Sequence, residues 1–377
     1  VGSQLKDWDD VKGMPYFPTG TKSLLSKCLT PDVWEACKDR RDKFGFSFKQ
    51  AIFSGCKWTN SGVGVYAGSH DSYYAFAPLM DKIIQTYHGH GPSDKHISNM
   101  NYKDLRCPPF PSDEDKMINS TRIRVARNLA AFPLGTCVTR EERKQVESLV
   151  VSALNEFDGE LKGKYYSLSK MTKNEKEQLI NDHFLFKGGD KYLESCGLER
   201  DWPEGRGIFH NDDANLFVWI NEEDQMRIVS MEKGDDIKSI IKRFARGTEQ
   251  IQKVLQAEGA DFMHSEHLGW ILTCPSNLGT GLRAGCMVNV PLFSARPDFK
   301  AVCAKMGLQT RGTAGVDSAS TGGTWDISNA DRLGKSEVQL VNIFIEGVAQ
   351  IIRWEQALEA GENIDEQVAK ASLPAKY

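Results

Sequence analysis

Leu216-Phe217-Val218-Trp219-Ile220 is an uninterrupted apolar run, and Arg227-Ile228-Val229-Ser230-Met231 is a second, just beyond an acidic turn. Short runs rich in β-branched and aromatic residues read as strands. A link this short turns the chain back on itself, so the pair is expected as an antiparallel hairpin. Ser120-Thr121-Arg122-Ile123-Arg124-Val125-Ala126-Arg127 alternates with period two. Trp270-Ile271-Leu272-Thr273-Cys274 and Cys286-Met287-Val288-Asn289-Val290 read as further strands. Long amphipathic helices separate them. One is capped by Asp235 or Asp236 and carries Ile240, Phe244 and Ile251, and another starts at Ser336 and carries Leu340, Phe344 and Ile351. The expected fold class is α+β, an antiparallel β-sheet flanked by α-helices.

The chain has 377 residues, enough for a second domain. Residues 1–110 read as all-α. Thr30-Pro31 places a cap before a proline at a helix start, and Leu79, Met80, Ile83, Ile84 and Tyr87 recur at helical spacing before Gly89. Cys107-Pro108-Pro109-Phe110-Pro111, followed by acids, is the linker that starts the larger domain, 111–377. Within that domain Thr139 with Glu142, and Thr172 with Glu175, make capping boxes.

The formal net charge is -4, and no basic block or long apolar run stands out. Neither nucleic acid nor a membrane is therefore expected as a partner. The polar start, Val1 to Trp8, resembles no secretory signal, and the nine cysteines are scattered. Both features suit a reducing, cytoplasmic setting without disulfides or structural zinc.

Cys274 ends an apolar run, at the mouth of a Ser/Asn/Gly/Thr loop that leads to Arg283. Hydroxyl and amide donors and a fixed positive charge would lower its pKa, although the residue also fits a plain buried thiol. Arg122, Arg124, Arg227, Arg283 and Arg311 all lie at strand ends or on glycine-rich loops. Singly each fits a solvated charge, but as a set they fit a polyanionic ligand. Glu222-Glu223-Asp224 is either a solvated acidic turn or a site that faces cations. The glycine-rich stretch from Ser54 to Gly68 can bring backbone close to a ligand. No standard nucleotide motif is present. Gly334-Lys335-Ser336 lacks the earlier glycine of a Walker loop, because Asn329 stands there.

Cys274-Pro275-Ser276-Asn277-Leu278-Gly279-Thr280 resembles the signature of the phosphagen (guanidino) kinases. Arg200 to Pro203, Phe209 to Asp212, Val218 to Asp224 and Asp326 to Gly334 extend the resemblance over nearly the whole chain. It implies a small α-helical domain beside a larger antiparallel-sheet domain, and direct transfer of a phosphoryl group between ATP and a small guanidino substrate. It implies that the five arginines bind the phosphates of ATP or ADP, and that Glu223 orients the guanidinium. Cys274 would lie against that guanidinium as a thiolate tuned by Ser276. Glu222 and Asp224 would act near Mg2+ through waters. Two loops, one with Ser61, Gly62, Val63 and Tyr66 and one with Val316, would close over the substrates. A histidine usual near the adenine is Met287 here. The resemblance implies that a short first loop disfavours creatine and glycocyamine and that valine at 316, where a second glutamate would stand, disfavours arginine. Together they fit lombricine or taurocyamine, of which lombricine is the favoured reading with taurocyamine or arginine as alternatives. Arg200 to Pro203 suggests a homodimer. A non-catalytic nucleotide-binding scaffold and a protein-arginine kinase are the other readings.

Overall fold

The structure is a computed structural model that describes residues 4–106, 110, 117–313 and 320–374. The helical part contains α1 (Leu24–Cys28), α2 (Pro31–Cys37), α3 (Phe48–Lys57), α4 (Ser72–Ala75) and α5 (Ala77–His88). Pro31 sits at the start of α2 and Gly89 closes α5 in a left-handed conformation, each where backbone geometry favours that residue. Ser47 and Gln50 cap α3 reciprocally.

The larger part is built on β1 (Ile118–Arg127), β2 (Gly163–Ser167), β3 (Gly207–Asn211), β4 (Leu216–Ile220) and β5 (Met226–Lys233). A short ribbon, β6 (His264–Ser265) and β7 (Gly269–Trp270), precedes β8 (Arg283–Asn289), β9 (Leu308–Arg311) and β10 (Thr324–Asn329). Apart from the ribbon, these strands form one sheet in the order β2-β3-β4-β5-β1-β8-β10-β9. Every ladder is antiparallel, and the expected hairpin is β4 and β5. The fold is thus α+β, as the alternation of short apolar runs and long helices predicts.

Helices α6 (Arg140–Asn155), α7 (Lys173–Asn181), α8 (Lys191–Ser195) and α9 (Ile237–Ala257) follow in chain order. Then come α10 (Pro291–Ser294), α11 (Phe299–Lys305), α12 (Glu337–Glu359) and α13 (Asp365–Ala369). Thr139 and Thr172 cap α6 and α7 in complete capping boxes, Asp236 caps α9 and Ser336 caps α12. The apolar stripes of α6, α9 and α12 meet Ile123, Val125, Ile228 and Ala284 in the main core. Each fully buried isoleucine or phenylalanine there stabilises the fold by about 1.5–3 kcal/mol. No described helix is long and apolar enough to cross a membrane.

One sequence expectation changes. The run Ile271 to Thr273 is buried but joins no sheet. Its backbone groups bond to other elements instead: Ile271 N–H to Met263 O, the Leu272 carbonyl to the Tyr73 hydroxyl, and the Thr273 carbonyl to Ala67 N–H. An apolar run whose backbone groups bond largely to other elements in this way reads as a strand without being one. The linker expected at residues 107–111 lies largely outside the described residues. Before it, Met100, Tyr102 and Leu105 already pack against the sheet domain's core, and Phe110 is part of that core. The helical part also shares its core with Met263, Leu268, Ile271 and Leu278, so the segment ahead of Cys274 is packed between the two parts.

Candidate active site

Residues directly opposite in an antiparallel ladder share a face, as do alternate residues along a strand. Arg124 stands opposite Arg283 on one side and Val229 on the other. Arg122 lies two residues from Arg124, and Arg227 two from Val229. Asp326 stands opposite both Met287, on β8, and Arg311. All five predicted arginines therefore project from one face, and Ile123 and Val125 project into the core from the other.

The cage is only partly neutralised by carboxylates. Asp326, 6% exposed, pairs with Arg122 and, at 2.8 Å, with Arg283. Arg227 pairs with Glu222 at 3.2 Å and with Glu223 at 3.4 Å. Arg124 has no hydrogen-bond or ion-pair partner among the described residues. Burial pushes its pKa well below the ordinary arginine range, helped by Arg227, Arg283, Arg332 and Arg122. Burial also lowers Arg283, to about 10, against the opposing pull of Asp326. Arg227 goes the other way. Burial disfavours its charge, but Glu222, Glu223 and Asp224 outweigh that and raise its pKa.

The acidic turn is set by local backbone. Asn221 adopts a left-handed φ of 58° at the tip of the β4–β5 hairpin, and its side chain donates to Arg143 O at 3.1 Å and Gly205 O at 2.8 Å. A short polar side chain tolerates that conformation. Glu223 N–H then donates to Glu222 Oε1 at 2.8 Å. Burial pushes the Glu223 carboxyl up to about 7; Arg227 opposes this, while Asp224 and Glu222 add to it. Asp224 is turned inward, and Asn128 and Thr273 hold its Oδ1.

Cys274 is buried, and its nearest polar contact is Ser276 Oγ at 3.1 Å. Its turn is pinned from α5, where His88 Nε2 donates to Pro275 O at 2.8 Å. The expected lowering of its pKa is not found. Burial and the nearby Glu223 push the thiol up to about 12, and only the bonds from Ser276 pull it down. Arg283, the cation expected to stabilise a thiolate, is engaged by Asp326 instead. A thiolate here needs a cation brought in from outside the chain.

Of the first-loop residues, only Tyr66 reaches this cluster. Burial raises its pKa, with Cys274, Cys196, Glu223 and Asp190 adding to the effect. Ser61 donates back to Trp58 O at 2.6 Å. The Gly62 and Val63 carbonyls accept from Leu24 and Leu25, both at 2.9 Å. Gly64 packs on Gly55 so closely that a Cβ on Gly55 would lie 2.3 Å from Gly64 O. The loop is therefore fastened to its own domain. Of the second loop, Arg311 to Gly323, residues 314–319 with Val316 lie outside the described residues.

Residues 19–85 match the N-terminal domain of the ATP:guanido phosphotransferases, and residues 145–358 match their C-terminal catalytic domain. The chain belongs to the ATP:guanido phosphotransferases. It is 44% identical over 348 residues to the flagellar creatine kinase of Strongylocentrotus purpuratus, covering 90% of this chain and 29% of that protein. It is 46% identical over 340 residues to the arginine kinase of Anthopleura japonica, covering 89% of this chain and 47% of that protein. The chain thus spans less than half the length of both. The crystal structure of a lombricine kinase superposes with a TM-score of 0.89 at 35% identity, covering 97% of this chain and 99% of that one.

In this phosphotransferase the structure adds residues that the sequence does not single out. Arg332 is a further arginine of the cluster. It is 7% exposed, donates to Asn277 Oδ1 at 2.8 Å and leaves its buried Nε unpartnered. It lies inside the Asp326 to Gly334 stretch, just after a strand end, which is the same signal that marks the other five. Asp326 could have been marked by its place beside paired arginines on neighbouring strands. Met287 lies on the arginine face opposite Asp326.

Proposed function

We propose that this chain reversibly transfers the γ-phosphoryl group of ATP to a guanidino nitrogen of a small acceptor, and that the acceptor is lombricine. The observation that carries the reading is Arg124, a half-buried guanidinium with no side-chain partner among the described residues, ringed by other guanidiniums on one sheet face. Such a concentration of positive charge suits the phosphates of a nucleotide, which arginine forks bind bidentately.

In the reaction the bond from the γ-phosphorus to the β-bridging oxygen breaks and a phosphorus–nitrogen bond forms. The guanidinium loses one proton, and Glu223, whose pKa of about 7 matches a base working near neutrality, accepts it. Cys274 lies on the other side of the acceptor, whose guanidinium stabilises the thiolate once the thiol proton has left to solvent. Arg122, Arg124, Arg227, Arg283, Arg311 and Arg332 hold the donor phosphates in line. Mg2+ bound with the nucleotide would neutralise phosphate charge, and Glu222, a hard oxygen donor on the acidic turn, would hold it through waters. Tyr66 closes the acceptor side, together with the loop that carries Val316.

The lombricine assignment rests on the short Ser61 to Tyr66 loop and on valine at 316, supported by the likeness to the lombricine kinase structure. Creatine and arginine are the competing acceptors, because relatives bearing those names are more similar in sequence, at 44% and 46% identity against 35% for the lombricine kinase. A homodimer through the Arg200 to Pro203 segment completes the proposal. ADP release from MgATP with lombricine, taurocyamine, arginine, glycocyamine and creatine in parallel tests it. Lombricine should give the highest kcat/KM. Preference for another guanidine would discard the loop argument, and no transfer to any would overturn the activity.

A further inference from the structure

Asp224 lies next to the acid assigned to the acceptor, and its bonding points into the protein. Its Oδ1 accepts three hydrogen bonds: from Asn128 Nδ2 at 2.9 Å, Thr273 N–H at 2.9 Å and Thr273 Oγ1 at 2.8 Å. Asn128 is equally committed. Its Nδ2 also donates to Ile271 O at 3.1 Å, its Oδ1 accepts from Gln225 N–H at 2.9 Å, and its carbonyl accepts from Met263 N–H at 2.7 Å. Gln225 accepts from Leu129 N–H and donates to Pro133 O, both at 2.8 Å. Asp224, Asn128 and Thr273 are 3%, 1% and 0% exposed.

These bonds join the end of β1, the acidic turn after β4, the entry to β6 and the run that leads to Cys274. Glu223 immediately precedes Asp224, and Cys274 immediately follows Thr273. The two residues that would flank the acceptor are therefore each one peptide away from the same buried knot. Nothing else described bonds the acidic turn directly to the residues just before Cys274. A misplacement of about 1 Å between such groups costs about a hundredfold in rate.

We propose that Asp224, Asn128 and Thr273 form a positioning hub that sets Glu223 against Cys274, with Asp224 acting through the acceptor geometry of Oδ1. This rests on the reading of Glu223 and Cys274 as acceptor-facing residues. It departs from a role for Asp224 on the waters of a metal ion. An asparagine carbonyl oxygen can accept the same hydrogen bonds without the charge, whereas alanine leaves three buried donors unsatisfied.

The test compares Asp224→Asn, Asp224→Ala and Thr273→Val for kcat, MgADP affinity, Mg2+ requirement and the rate of Cys274 alkylation by iodoacetamide. Asp224→Ala should lower kcat about a hundredfold with little change in MgADP affinity. Asp224→Asn should recover most of that loss at an unaltered Mg2+ requirement. Thr273→Val, which removes only the hydroxyl donor, should fall between them and be rescued by Thr273→Ser, which covers the case of an alanine variant that does not fold. Asp224→Asn as damaged as Asp224→Ala, or rescued only by raised Mg2+, would overturn the hub. The alkylation rate needs no acceptor. If the wild type transferred to no guanidine, the activity would fail, while wild-type-like alkylation in Asp224→Asn and altered alkylation in Asp224→Ala would still support the hub.

Discussion

Glu223→Gln is expected to lower turnover about a thousandfold while leaving MgADP affinity within about threefold. The amide fills the same space but accepts no proton, and it cannot draw the guanidinium into line with a full charge. The nucleotide cage is untouched, because Arg124, Arg283, Arg311 and Arg332 remain and Arg227 keeps Glu222 at 3.2 Å. Stability should move in the opposite direction. The Glu223 pKa is raised on folding from 4.5 to about 7, chiefly by burial. Protonation of this group therefore favours the folded state. Its contribution is fully present below the unfolded pKa and is lost as pH rises through the folded one. The glutamine variant should match the wild type in thermal stability under acid conditions and exceed it on the alkaline side of neutrality. A scan of Tm against pH checks the sign. Near-normal turnover, or a Tm gain confined to low pH, would contradict the assignment.

Arg124→Met carries the second large effect. Two charge-assisted bonds to phosphate are worth about 3–6 kcal/mol together, so MgADP affinity should fall by at least about a hundredfold. Without nucleotide the variant should melt at a higher temperature than the wild type. The guanidinium it removes is half-buried and repelled by Arg227, Arg283, Arg332 and Arg122, and a flexible apolar side chain carries no such charge. The wild type in turn should gain more stability than the variant from saturating MgADP, since the ligand binds only the folded state. Calorimetric titration and melting of both proteins, with and without MgADP, separate these effects. Unchanged affinity together with a lower melting temperature would mean that Arg124 is a structural residue.

The split between function and stability at these two positions explains why so much of the site is legible in the amino-acid order. The period-two spacing of Arg122 and Arg124 puts both on one strand face, and together with the arginines at other strand ends it suggests a polyanionic ligand. The β4–β5 hairpin and the capped helices are equally plain, since periodicity and capping are local. What escapes is non-local. Whether Ile271 to Thr273 joins a ladder depends on Tyr73, Ala67, Asp224 and Asn128, which come from distant parts of the chain. The Cys274 pKa departs from its sequence expectation for the same reason. Its expected cation, Arg283, is engaged by Asp326 on β10, a strand that the apolar pattern does not mark. Asn128 looks in sequence like an ordinary polar residue after a strand, and only the fold reveals that it is 1% exposed and fully bonded.

The most direct test of the central claim is phosphorus NMR of the chain with MgATP and its best guanidino acceptor. Direct transfer predicts a phosphoramidate resonance that grows in step with ADP, with inorganic phosphate at the background level. ADP accompanied by inorganic phosphate, with no phosphorus–nitrogen signal, would contradict the account, because the arginine face would then be serving hydrolysis and Glu223 and Cys274 would not be holding an acceptor.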